Sequence, residues 1–249
     1  MLNRLFPQGV SKSIVAVLGF GVPGSLYGPA ELAVDEPGRV RVTAEDIRAA
    51  NAEADAAYDA LVTMWSEEFD AAGKRFSAPK VVRYRGNIVT QCGVMPASNA
   101  TYCLETNTIY FDDAFVAGQA KLTGRALGSD GDMAAVGIVA HEMGHAVAFQ
   151  LGHIFRDSYK NESVADCLTG AFARWAEQDG SLEEGDLDEV SYAMSAAADP
   201  DLRATGNRRL DRRRAAAIAR TSHGTREQRL ANFRNGFYGG SGSCVPDLS

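Results

Sequence analysis

The 249-residue sequence is short of histidine, short of cysteine and has no excess of positive charge. Lysine and arginine together number 25 against 32 aspartates and glutamates, a formal net charge of −7. A chain built mainly to grip nucleic-acid phosphates carries the opposite sign, so that class is disfavoured. The four cysteines are Cys92, Cys103, Cys167 and Cys244, and none forms a C-x-x-C pair. That argues against a zinc knuckle or a thioredoxin-type motif. Even in number and widely spaced, they fit two disulfides in an oxidising compartment. What is present is ordinary: 45% hydrophobic and 23% charged residues. Such a composition excludes disorder, collagen and a multi-spanning membrane protein, and its length suits one domain or at most two.

Arg4 and Lys12 precede an apolar run, Ile14 to Val22, followed by Pro23, Gly24 and small residues up to Ala30. A basic start, a short apolar stretch and a small-residue exit describe a secretory leader, with a cleavage site expected near Ala30 to Ala33. The run falls short of the about 20 residues a transmembrane helix needs. An uncleaved anchor and an ordinary buried strand are the alternatives. Thr43 and Asp46 then give a helix-start signature, and Tyr58, Leu61, Val62, Trp65 and Phe69 follow at helical spacing until Gly73. Trp65 is expected in the core. Residues 81 to 111 turn β-prone, with Val81, Val82 and Tyr84 at one end and Ile109, Tyr110 and Phe111 at the other. Cys92 and Cys103 bracket the loop between, so the region reads as a small sheet with a cross-linked hairpin or loop. Asp132 is the expected N-cap of a helix from Met133 to Leu151 that is apolar almost all round, hence buried. Further helices are expected from Glu162 to Glu177, from Leu187 to Ala198 and, behind a Thr225–Gln228 capping box, through Phe237.

The buried helix contains His141-Glu142-Met143-Gly144-His145. Residues four apart stand one turn apart on one helix face, so both imidazoles can bind one metal ion. Glu142 lies about 100° round the helix, where it can reach a metal-bound water without ligating the metal. The structural alternative is a pair of histidines satisfied by hydrogen bonds. Two histidines and a glutamate inside an apolar helix are costly without a shared partner, which weakens it. A catalytic zinc site takes three protein ligands and keeps one position open. Glu162 and Asp166, again four apart, follow 17 and 21 residues after His145. Glu162 is the natural third ligand, and Asp166 can accept a hydrogen bond from the outer nitrogen of a ligand histidine. A helix-start carboxylate favoured by the dipole is the plainer reading of Glu162.

These motifs in combination resemble the bacterial neutral zinc metallopeptidase family, within the gluzincin pattern of a histidine pair and a downstream glutamate. The resemblance rests on Cys92-Gly93, Tyr102-Cys103, Tyr110-Phe111-Asp112, His141 to His145, Glu162 to Gly170, His223-Gly224, Gln228-Arg229 and Cys244, over about residues 60 to 249. Ala146 stands where the family often has another histidine, and the arginines from Arg208 to Arg214 are particular to this chain. The resemblance implies the pairings Cys92–Cys103 and Cys167–Cys244. It also sets His223 near a helix start, where it either stabilises an oxyanion or takes a local capping role beside Thr225. Tyr110 and Tyr192 are weaker candidates for the oxyanion, and His153 is expected at the surface.

The resulting expectation is an α+β, zincin-like fold, rich in helix, with a small sheet beside the histidine helix. Residues 1–30 form a leader, 31–42 a linker and 43–249 the metallopeptidase domain. His141, His145 and Glu162 hold Zn2+, Glu142 is the general base, and Thr108 to Phe111 is the edge strand that pairs with an extended peptide. The protein is expected to be secreted or held in the cell envelope. Its partner is a peptide or protein substrate, not nucleic acid, with a membrane touched only through an N-terminal anchor. A zinc-stabilised envelope binding or assembly module is the alternative. The arginines Arg208, Arg209, Arg212, Arg213 and Arg214 are a third, nucleic-acid reading that the acidic balance opposes.

Overall fold

The computed structural model describes residues 40–199, 206–218 and 223–248. The expected leader therefore lies outside the described residues, as does most of the expected linker. The fold is helix-rich α+β. Helix α1 (Ala44–Ala71) starts at a complete capping box, with Thr43 accepting from the Asp46 backbone and Asp46 reaching back to the Thr43 N–H. It stops where Lys74 N bonds back to Phe69 O and Gly73 takes a left-handed conformation. Leu61, Met64, Trp65 and Phe69 form its buried face, so Trp65 is a core residue as expected.

Strands β1 (Lys80–Tyr84), β4 (Ala100–Cys103) and β5 (Thr108–Asp112) form one sheet, and β2 (Ile88–Thr90) and β3 (Gly93–Met95) form a separate hairpin. The sheet order is β1-β5-β4, with β5 parallel to β1 and antiparallel to β4. This corrects the expectation that Thr108 to Phe111 is the edge strand. Thr108, Ile109 and Phe111 are all buried, and a strand covered on both faces belongs in the middle of a sheet. The edge beside the histidine helix is β4. Its start is fixed by Asp112. That carboxylate caps α2 (Asp113–Leu127), a helix absent from the expected elements, and accepts from Ser98 N at 3.0 Å. The Asp112 backbone N–H donates to Asn99 O at 2.9 Å.

Helix α3 (Asp132–Gln150) carries the histidines and is buried along most of its length. Its N-cap is Gly131, not Asp132. The capping acceptor comes from α5 (Asp186–Ala196): buried Glu189 accepts from Gly131 N and Met133 N, both at 3.1 Å. Gly131 has φ 77°, and a Cβ there would lie 2.0 Å from Ala120 O, so the close approach to α2 admits only glycine. Asp132 is thereby pushed into the first turn among Asp130, Glu53, Asp186 and Glu189. Burial first, then these neighbouring carboxylates, raise its pKa to about 8. A carboxyl raised by folding holds a proton that the unfolded chain releases near pH 4, so its stabilisation is lost as pH climbs from about 4 to about 8. Asp132→Asn is expected to leave the melting temperature nearly unchanged at pH 4.5 and to raise it progressively up to pH 8. A gain independent of pH would contradict this.

Helix α4 (Ser158–Asp179) begins four residues before the expected start, because Asp157 caps it by accepting from Tyr159 N at 3.1 Å. Helix α6 (Arg208–Ile218) follows α5, and α7 (Arg226–Gly239) opens at the expected Thr225–Gln228 capping box. Helices α4 and α7 touch backbone to backbone: a Cβ on Gly236 would sit 1.7 Å from Cys167 O. Disulfides join Cys92 to Cys103 and Cys167 to Cys244. The second closes 77 residues and ties the C-terminal segment to α4, which in the chain-entropy account stabilises the fold by about 4–5 kcal/mol. Among the described residues no helix is long and apolar enough to cross a membrane.

Candidate active site

The site forms where α3 faces the first turns of α4. His141 and His145 project from one face of α3, their rings 4.8 Å apart and nearly perpendicular. Glu162 of α4 meets both, with Oε2 3.1 Å from His141 Nε2 and Oε1 3.5 Å from His145 Nε2. Donor atoms of the three residues lie within 4.8 Å of one another. Ligands on a tetrahedral zinc at about 2.0–2.1 Å are about 3.3 Å apart, so two imidazoles and a carboxylate at these separations fit that metal. The early start of α4 puts Glu162 in its second turn, beyond the helix-end position that the plainer reading requires.

Asp166 stands one turn further along α4, fully buried. Its Oδ1 lies 3.0 Å from His141 Nδ1, close enough for an ionic contact but off the line of a straight hydrogen bond. Burial opposes charge on His141, yet Asp166 and Glu162 outweigh it and raise the imidazole pKa to about 10. Burial likewise opposes charge on Glu162, and His141 and His145 overcome it, holding that carboxyl far below its ordinary range. A divalent cation at these ligating atoms would displace any proton that they share.

Glu142 is buried on α3, outside the three-residue cluster, and lines the cleft. The cleft has two lobes that share Asn99, Ala100, His141, Glu142 and His223. One lobe, about 460 Å³, extends past His145 toward Phe149 and Asn161; the other, about 300 Å³, extends toward Ile138 and Val190. Residues Asn99 to Tyr102, hence strand β4, form a wall of the larger lobe. His223 is half-exposed at the junction, its Nδ1 3.8 Å from Asp199 Oδ1. It is not part of the α7 cap, which Thr225 and Gln228 complete between themselves. Tyr110 and Tyr192 line neither lobe. His153, expected at the surface, is instead part-buried at the end of the larger lobe and pairs with Asp247 at 2.7 Å.

A family model described as "Putative neutral zinc metallopeptidase" matches residues 40–245. The chain belongs to this family. Among curated members, the YpfJ proteins of Escherichia coli K12 and of Escherichia coli O6:H1, both described as uncharacterized, are each 34% identical to it over 192 residues. The alignments cover 71% of this chain and 63% of each relative, so the chain spans less than two thirds of their length. No solved structure matches it. Of the residues in the motifs that tie the chain to this zinc metallopeptidase family, Gln228 is the partner of Thr225 in the α7 cap, while the spacing of Arg229 alone assigns it nothing. Here Arg229 is buried and grips Asp166 with two bonds, Nε to Oδ2 at 3.1 Å and Nη2 to Oδ1 at 2.6 Å, while Nη1 donates to Ala197 O at 3.1 Å. The available signal was an arginine on the inward face of a helix otherwise buried through Phe233 and Phe237. The edge strand β4 was missed for lack of an apolar run. Four arginines of α6, Arg208, Arg209, Arg212 and Arg213, line a surface concavity away from these groups.

Proposed function

We propose that the protein is a zinc-dependent metallopeptidase that hydrolyses peptide bonds of an extended peptide lying along β4. The observation that carries this reading is the convergence of His141, His145 and Glu162 inside a cleft that also contains Glu142 and runs beside a sheet edge. In it, His141, His145 and Glu162 would hold Zn2+ through three protein ligands. When bound, the metal would supply an activated water, with a pKa of about 7. Glu142 takes the proton of the attacking water and passes it to the leaving amine. Asp166 orients the His141 ring through Nδ1. His223, at the junction of the lobes, donates to the oxyanion that develops on the attacked carbonyl. The exposed edge of β4 binds substrate main chain by strand addition. The two disulfides suit an oxidising, extracytoplasmic compartment, reached through the leader at residues 1–30. The test is metal content by elemental mass spectrometry. Purified protein is expected to carry one zinc per chain, and His145→Ala to carry almost none. Absence of metal after zinc-replete expression overturns the reading.

A further inference from the structure

The geometry points to the smaller lobe of the cleft as a specificity pocket for one large apolar side chain, leucine or phenylalanine, next to the bond that is cut. This rests on the peptidase reading above. The lobe begins at His141 and Glu142, so its occupant is the residue adjoining the reacting carbonyl. Ile138, one turn before His141 on α3, forms its floor together with Phe115 of α2 and Val190, Ala193 and Met194 of α5. Away from the catalytic end, its polar wall residues are Gln119, Thr169 and Arg229. Thr169 already donates to Ala165 O at 2.8 Å, and the Arg229 guanidinium is neutralised by Asp166. Beyond Glu142 and His223 at the catalytic end, a charged side chain entering here would lose its hydration and meet no unpaired opposite charge, whereas an apolar one loses nothing. The volume of about 300 Å³ stands at the small end of ligand pockets and has room for a large side chain, which a small one would leave unfilled. The larger lobe, with His153, Ser158 and Asn161 along it, has a mixed lining and imposes no such choice.

The experiment uses the full-length, zinc-loaded Glu142→Gln protein, which binds peptide without consuming it. The probes are blocked peptides of glycine and alanine carrying one variable residue: alanine, leucine, phenylalanine, tryptophan, aspartate or lysine. Titration calorimetry is expected to show leucine and phenylalanine peptides binding roughly tenfold or more tighter than the alanine peptide, and aspartate and lysine peptides no tighter than it. Ala193→Phe, added to fill the lobe, should bring the leucine-to-alanine ratio close to one. Phe115→Ala, added to widen it, should move the preference toward tryptophan. Zinc content and circular dichroism select the variants that fold. Equal binding of all peptides, or a preference that neither folded variant changes, overturns the pocket. The wild-type protein is then offered the same peptides. Cleavage without apolar preference removes the pocket and leaves the peptidase standing. Apolar-selective binding without cleavage of any peptide removes the peptidase and leaves the pocket standing.

Discussion

Glu142→Gln is expected to retain one zinc per chain and to lose turnover by roughly 10²–10⁴-fold, the range that a general base contributes. The two halves of this result have separate causes. Zinc is retained because the atoms that converge on the candidate metal position come from His141, His145 and Glu162, and Glu142 is not among them. Turnover is lost because an amide of the same shape accepts a hydrogen bond but no proton. The substitution keeps volume in a buried position, so a folding defect does not mimic the effect. Metal content and circular dichroism on the same sample verify both conditions. Equal turnover in the variant would show that the proton leaves by another route. Loss of zinc would show that Glu142 is a ligand and that the assignment of Glu162 is in error.

His141, His145, Glu162 and Asp166 were legible because their placement follows from local periodicity. Spacings of four fix which side chains share a helix face, and helix geometry does not depend on distant contacts. The capping boxes at Thr43 and Thr225 were legible for the same reason. The features the sequence concealed are settled between elements. Whether Thr108 to Phe111 is central or at the edge depends on where Ala100 to Cys103 pairs, and those four residues have no apolar alternation to announce a strand. The cap of α3 was assigned to the nearest aspartate, Asp132, yet its acceptor is Glu189, 58 residues from Gly131. A residue-by-residue reading could not find Glu189 because its function is defined by a helix packed from elsewhere. Arg229 belongs to the same class: its partner Asp166 is 63 residues away.

The position of Arg229 leads to a large expected effect at a residue that touches no metal-binding atom. Asp166 is fully buried, and among the described residues Arg229 is the cation hydrogen-bonded to it, with His141 in ionic contact. Removing one partner of a buried ion pair leaves an uncompensated charge at a cost of about 3–5 kcal/mol. Arg229→Met preserves most of the side-chain volume and removes the charge, so the melting temperature should fall by roughly 6–20 °C for a chain of this size. Asp166 must then find charge compensation by moving toward His141 or by taking up a proton, and either change loosens the ring that Glu162 faces. Zinc affinity, measured by competition with a chromophoric chelator, is expected to fall about 10–100-fold, the usual consequence of losing a group that orients a ligand histidine. The double variant Asp166→Asn with Arg229→Met separates the two roles. With both charges gone the desolvation penalty disappears, and stability should recover most of its loss. Zinc affinity should stay low, because a neutral amide lacks the charge with which the Asp166 carboxylate holds the His141 ring at Nδ1. If the double variant regains zinc affinity along with stability, Arg229 and Asp166 serve the fold alone and His141 needs no partner to hold its orientation.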